Sequence, residues 1–454
     1  MYKESSKPLN LYSERHLRRQ AMQLSMKEGC FAIVMVALLE AFYIPYLNAM
    51  GASPLQIGLG ASLPALASAF IQLYIPMALY KSGSRKRLAV TTALVQALCF
   101  VPFGLMCQIN RNWAVWPAIA AFTVSAVSGS LGGTSWADWM ADIVPARRRG
   151  KYFAYRNRIL GVIQLAVAVT AGYLLDHLAG KVLLTFTIIW FVCFAARTCS
   201  GIMHKFMYEP PRMANQNQPE GSFLAFLRQL PSTKFGRFTL ATSLLGLGVS
   251  FAGPFFAVHM LNNLKFSYSE YTVVNVTATA AVIAFLGLWG GIIDRVGAIL
   301  PLRLCAIIIT LIPLPWVIFE NYWLLLCAQI LSGFAWAGFS LAVFVYYLGS
   351  VPPQTRISGM SYFNALGLFC ASAGSTLGGW LGPYLPVLTN YYLQTVFLIS
   401  FALRLGPALM FYRIKEEKLP AGKLTLVEKL FFEPTLILRP SIARSMLRLP
   451  KRSG

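Results

Sequence analysis

The sequence predicts an all-α, multi-pass membrane protein whose twelve transmembrane helices form two pseudo-symmetric six-helix bundles. Three observations predict it. The composition is too apolar for water, twelve apolar stretches have spanning length, and a set of non-apolar residues recurs between the two halves of the chain.

Of 454 residues, 57% are hydrophobic and only 12% are charged, against roughly 45–50% and about 25% in soluble domains. Such a chain lacks the polar side chains to clothe a water-soluble body, so lipid is the solvent for most of it. All eight cysteines lie in apolar stretches, without metal-ligand spacing. They read as small buried hydrophobes, and no metal, cofactor or disulfide framework is expected.

A spanning helix needs about 20 mostly apolar residues. The chain offers such stretches at 29–50, 56–80, 88–109, 113–137, 154–177, 182–208, 237–261, 270–293, 299–319, 322–349, 357–382 and 390–412. This divides it into a tail 1–28, a first bundle 29–208, a linker 209–236, a second bundle 237–413 and a basic tail 414–454. The polar tail followed directly by a full span reads as a signal anchor, not a cleaved leader.

The cations orient these spans. Of the 39 Lys and Arg residues, all but five fall in the two tails and in alternate loops on one side. Arg111, Lys181 and Lys265 lie in the opposite loops, while Arg197 and Arg404 lie within spans. The positive-inside rule therefore places both termini and the basic loops in the cytoplasm, with the chain in the inner (plasma) membrane. The net charge of +23 then lines the face of the bilayer, where anionic headgroups attract it. That distribution argues against a nucleic-acid partner.

The repeat rests on residues that apolar coincidence does not supply. At a spacing of 207, Val144-Pro145 falls on Val351-Pro352, Arg149 on Arg356, Asn157 on Asn364, Gly172 on Gly379 and Arg197 on Arg404. At a spacing of 214, Ser53 falls on Ser267, Lys81 on Arg295 and Gly83 on Gly297. Duplicated six-helix halves are a structural signature of many secondary transporters.

The segment Gly290-Gly291-Ile292-Ile293-Asp294-Arg295-Val296-Gly297 matches the G-x-x-x-D-R-x-G loop of the major facilitator superfamily. Asp142-Ile143-Val144-Pro145 through Phe153 is similar to the loop after that family's fourth helix. The resemblance covers residues 29–413. It implies a monomeric transporter of a small-molecule substrate, working by alternating access with or without proton coupling, and not an enzyme. It also implies a cytoplasmic gate at Gly290, Asp294, Arg295 and Gly297, with Asp294 facing the Lys151–Tyr155 stretch and Arg356. The first-half loop departs from the pattern, with Tyr80 in place of the acidic residue and Pro76 in place of glycine. A membrane sensor or accessory protein that keeps the fold is the alternative. A membrane enzyme would need clustered His, Asp or Ser at one face, and the sequence shows none.

Gly290 is expected to let two helices approach closely, and Gly297 to permit a tight turn. Charges at bilayer depth cost at least about 2.5–3.5 kcal/mol and mark sites of function or bracing. Glu40, mid-span with no basic neighbour in sequence, is a candidate to exchange protons or touch substrate. Otherwise it is a neutral acid bonded to a neighbouring helix. Asp138, between Trp136 and Trp139, is a candidate for the central cavity, and Asp142 one turn on is expected to pair with the Arg147–Arg149 run. His259, after Pro254, either binds substrate or caps a loop. Trp336 is a candidate lining residue in an aromatic span with Phe339, Tyr346 and Tyr347, where Gly333 and Gly338 allow close approach. The matched Arg197 and Arg404 read as structural braces, snorkelling or bonded to backbone carbonyls.

Overall fold

The computed structural model describes residues 11–107, 111–145, 149–178, 181–210, 223–351 and 356–414. Regular structure there is helical: α1 Leu11–Ala49, α2 Pro54–Ser82, α3 Arg85–Leu98, α4 Phe100–Met106, α5 Arg111–Ile143, α6 Arg149–His177, α7 Val182–Phe206, α8 Phe223–Gln229, α9 Lys234–Val258, α10 Tyr268–Val296, α11 Ile299–Leu311, α12 Pro313–Ile318, α13 Tyr322–Ser350, α14 Arg356–Leu381 and α15 Tyr392–Met410. A five-residue π-helix, His259–Asn263, continues α9. Among the described residues, 11 helical stretches are long and apolar enough to cross a membrane.

Several boundaries depart from expectation for local reasons. Helix α1 starts at Leu11, well ahead of residue 29. Residues assigned to a polar tail carry an apolar face, with Ala21 buried against Trp139, Met140 and Met207 and with Met22 and Leu24 alongside. Tyr152 donates its hydroxyl to the Met22 carbonyl at 3.0 Å, which fixes that face. The third span is broken between α3 and α4, where the Pro102 ring sits four residues past Leu98 and cannot continue its hydrogen-bond ladder. The ninth is broken between α11 and α12 by Pro313.

Helix α14 corresponds to the eleventh expected span, but it is not among the helices apolar enough to qualify. Its glycines and serines lower its hydropathy, and the glycines serve contact instead. A Cβ at Gly374 or Gly378 would strike the Leu247 and Phe251 backbone of α9. Small residues at such crossings let membrane helices approach to van der Waals range. Gly333 and Gly338 act likewise in α13, against Ala278–Ala281 of α10 and against Trp289.

The repeat is visible in local geometry. Ser53 and Ser267 each cap a helix start with a reciprocal capping box, closed by Gln56 and Glu270. Gly83 and Gly297 each end the helix so begun at positive φ, 65° and 80°, where a side chain would be strained. Gly172 of α6 sits on Thr272 and the Tyr268 carbonyl at the start of α10, and Gly379 of α14 sits on Gly58 and the Pro54 carbonyl at the start of α2. The two matched glycines thus form equivalent contacts, each between the first and second halves of the chain.

Candidate functional site

The described hydrogen bonds between the halves lie toward the helix ends away from the Lys- and Arg-rich loops, while apolar contacts such as Phe70 on Phe369 continue at mid-helix. The side-chain amides of Asn48 at the end of α1 and Asn262 in the π-helix exchange two hydrogen bonds, at 2.8 and 2.9 Å. Asp176, near the end of α6, accepts the backbone N–H of Tyr268 at 2.7 Å and of Ser269 at 2.8 Å. The capping box supplies partners for Ser267 and Glu270 N–H. All four free donors at the start of α10 are therefore satisfied, two of them by the other half of the chain. A carboxylate there also complements the positive end of the helix dipole. Further in, the buried Tyr271 donates its hydroxyl to the Ala41 carbonyl of α1 at 2.7 Å.

Glu40 adjoins this contact. Its side chain is exposed, and Gln164 of α6 donates to its Oε2 at 3.1 Å. This exposed carboxyl lies one residue from the contact between α1 and α10.

Asp138 and Asp142 meet a buried cation. Their carboxylates converge on Nη1 of Arg85, at 3.4 and 2.5 Å. Arg85 is 3% exposed, and its Nη2 donates to the Pro210 carbonyl at 3.3 Å. The one-turn spacing of the two acids does put them on one face, but the cation they meet is the first residue of α3. Asp138 is thus part of an ion cluster holding α3 to α5. Asp142 joins the same cluster. Arg147 and Arg148, and the side chain of Arg149, lie outside the described residues.

His259 is fully buried, with its ring edge-on to Phe397 and Tyr391, centroids 5.3 and 5.6 Å away. Neither ring nitrogen has a polar partner among the described residues, so it caps no loop and in this state touches no open space. Trp336 is half-buried and edge-on to Phe339 at 5.9 Å. Phe339, Tyr346 and Tyr347 are buried in the second-half core, where Tyr346 lies 4.5 Å from the Phe238 ring. This aromatic span is mostly core.

At the basic end, Asp294 and Arg295 are exposed, with no polar side-chain contact among the described residues. Gly297 makes the expected turn. Gly290 does not enforce close approach, since a Cβ there would reach only Leu341, at 4.0 Å. Arg356 begins α14, and its side chain and that of Lys151 lie outside the described residues.

The matched arginines are both buried and differently partnered. Arg404, 2% exposed, donates to the Ile309 carbonyl at 2.8 Å. That carbonyl faces position 313, where proline has no N–H to offer, so Arg404 supplies the missing donor. Arg197 donates to Ser200 Oγ at 3.0 Å, and Ser200 donates to Glu28 Oε1 at 2.8 Å. Glu28 also meets Arg156 Nη2 at 3.5 Å and lies 3.9 Å from His204 Nδ1. The Arg156 guanidinium stands 4.5 Å above the Trp136 ring. Sequence reasoning missed this cluster because it placed Glu28 in a solvated tail and Arg156 in a basic loop. It also missed Asp176 and Tyr271, whose partners are backbone groups that carry no sequence mark.

The family model described as the Major Facilitator Superfamily matches residues 29–235 and 238–450, and the chain belongs to that superfamily. It is a multi-pass membrane protein with a transporter fold. The nucleoside transporter NupG is similar in structure, with a TM-score of 0.65 at 16% identity, covering 88% of this chain and 100% of its own. A bacterial homologue of the human lysosomal transporter Spinster, inward-facing and unoccupied, has a TM-score of 0.65 at 13% identity, covering 88% and 97%. A bacterial homologue of the iron transporter ferroportin, also inward-facing, has a TM-score of 0.63 at 14% identity, covering 87% and 98%. No curated protein matches the chain.

Proposed function

We propose that the protein is a secondary active transporter that moves a small solute by alternating access. The observation that carries this reading is one-sided closure. The bonds of Asn48, Asp176 and Tyr271 join the halves at the end away from the basic loops, while Asp294 and Arg295 at the other end are exposed and unbonded among the described residues. With the basic loops in the cytoplasm, this is an inward-facing state of two six-helix bundles. In the opposite state, the loop of Gly290, Asp294, Arg295 and Gly297 closes the cytoplasmic end against the start of α6 and Arg356.

Glu40 is the proton-coupling group of this scheme. Its carboxyl reaches the space between the halves and holds Gln164, a partner able to bond to either protonation state of the acid. A site beside one carboxyl, with Asp138 and Asp142 occupied elsewhere, suits an uncharged or amphipathic solute.

A thermal-shift screen of the purified protein against a broad solute panel identifies ligands by mass action. Each hit is then tested for uptake and counterflow in proteoliposomes, with and without a pH gradient. Flux of at least one hit is expected. A ligand that stabilises the protein but crosses in neither direction would instead establish a membrane sensor.

A further inference from the structure

Between α3 and α7, on the side of the basic loops, lies a cavity of about 280 Å³ lined by Ser84, Lys86, Arg87, Val90, Thr91 and Lys205. Its walls are tied together by Glu209, just past α7. That carboxylate accepts the Ser84 hydroxyl at 2.6 Å and the Arg85 and Lys86 N–H groups at 2.7 and 3.2 Å. Glu209 is thereby committed to the start of α3, and Arg85 is turned inward to Asp138 and Asp142. The side chains of Lys86, Arg87 and Lys205 are left with no ion pair or hydrogen bond among the described residues.

Three unpaired cations around one small cavity repel each other, and an anion relieves that repulsion. The surface beside them says which kind of anion. On α3, Arg87, Thr91, Val95 and Leu98 follow one another down a single exposed stripe, and Leu98 is 61% exposed. On α7, Lys205 shares the exposed face with Ile202 and Phe206. Cations thus head an apolar track on a membrane-facing edge. A soluble anion would use only the head of this site. A ligand carrying both an anionic group and a hydrocarbon chain uses all of it.

We infer that this cavity is a headgroup site for an anionic phospholipid. The phosphodiester sits among Lys86, Arg87 and Lys205, and an acyl chain runs along Val95, Leu98 and Ile202. Basic pockets between membrane helices recognise lipid headgroups by this chemistry. Because α3 and α7 belong to the same half, the lipid braces that half in either conformation. The inference rests on the membrane fold and not on transport.

Native mass spectrometry of the detergent-purified protein tests it, with phosphatidylglycerol and phosphatidylcholine of matched chains as probes. Selective retention of phosphatidylglycerol is expected. Combining Lys86→Gln, Arg87→Gln and Lys205→Gln should weaken it about a hundredfold, or about fivefold for each charge removed. Lys181→Gln with Lys265→Gln, at the opposite end, should leave it unchanged. The single variant Lys205→Gln, on an exposed side chain, provides the fivefold step should the triple variant fold poorly. Equal retention by Lys205→Gln or the triple variant, or displacement of the lipid by millimolar inorganic phosphate, would overturn the assignment. Neither result bears on whether the protein moves a solute.

Discussion

Tyr271 donates its hydroxyl to the carbonyl of Ala41, the carbonyl that Pro45, four residues on and inside the same helix, cannot serve. A proline in a helix strands the acceptor four residues before it. In α1 the stranded group points at the other half of the chain, and Tyr271 of α10 reaches across to it. In the proposed alternating-access scheme this bond forms only while the outer ends are together, and there it stabilises one conformation at the expense of the other. Leaving a buried acceptor unpaired costs about 1–3 kcal/mol. Tyr271→Phe removes the donor with little change of shape and should shift the conformational ratio toward outer opening by roughly 5- to 150-fold. Thr272→Cys, 1% exposed beneath Gly172, reports this as its rate of labelling by a water-soluble maleimide in an otherwise cysteine-free background. Unchanged labelling in Tyr271→Phe would show that the bond does not bias closure.

Asp176 acts at the same end by a different means. Its two oxygens take one N–H each from the start of α10. Asp176→Asn keeps the shape but has a single acceptor oxygen and no charge, so one N–H loses its partner and the dipole its counter-charge. Losing a cap of this kind costs about 0.5–2 kcal/mol. The same maleimide assay should show faster labelling in Asp176→Asn, and faster still in Asp176→Ala. Gly172→Val should have the strongest effect, since its side chain would occupy the space of Thr272 and the Tyr268 carbonyl. A wild-type rate in Gly172→Val would mean that the α6–α10 contact is not needed for closure.

The Arg404 brace can be tested against the proline that explains it. Arg404→Met leaves the Ile309 carbonyl without a donor and should destabilise the protein by about 1–3 kcal/mol in reversible unfolding. Pro313→Ala restores an N–H at position 313, so the combined variant should recover much of that loss. A double-mutant cycle with coupling near zero would show that Arg404 braces the fold through other contacts.

The pattern of what the sequence disclosed follows from where each interaction is written. The multi-pass, all-helical character was legible because the cost of exposing backbone to lipid imposes long apolar runs, and 11 such helices are found among the described residues; the serine caps and glycine turns were legible because their geometry demands particular residue types. Arg404 was legible as a brace from its repeat of Arg197, though the carbonyl it serves was not. The contact of Asp138 with Arg85 was not legible, because depth along a helix says nothing about rotation toward a residue on another element. Glu28 escaped for the opposite reason, since the polar stretch around it hid the apolar face that carries α1 back to Leu11. Asp176 and Tyr271 bond to backbone, and a partner without a side chain leaves no trace in sequence.

Glu28 supplies a stability test. It is 3% exposed and, among the described residues, the one carboxylate beside Arg156 and Arg197, both 9% exposed. Removing one member of a buried ion pair costs about 3–5 kcal/mol, because the remaining charge is left uncompensated. Glu28→Gln should therefore lower the thermal midpoint sharply, while adding Arg197→Met should restore part of it by removing the surplus cation. A larger loss in the double variant than in Glu28→Gln would mean that the cluster is held by shape and not by charge balance.

Glu40 provides the test of coupling. It is exposed, lies one residue from the α1–α10 contact, and its one hydrogen bond among those described comes from Gln164. In the proposed scheme this carboxyl takes a proton from one side and releases it to the other as the halves exchange their closed ends. Glu40→Gln preserves the shape and a bond to Gln164 but cannot exchange a proton. In proteoliposomes, uptake driven by a pH gradient should fall by at least about tenfold, the usual scale for losing a positioned acid–base group being 10²–10⁴. Counterflow of the same solute without a gradient should persist, and the thermal midpoint should stay near that of the wild type. Two results remove Glu40 from the mechanism: gradient-driven uptake that survives the substitution, or equal loss of both modes, which would assign the residue to solute binding alone.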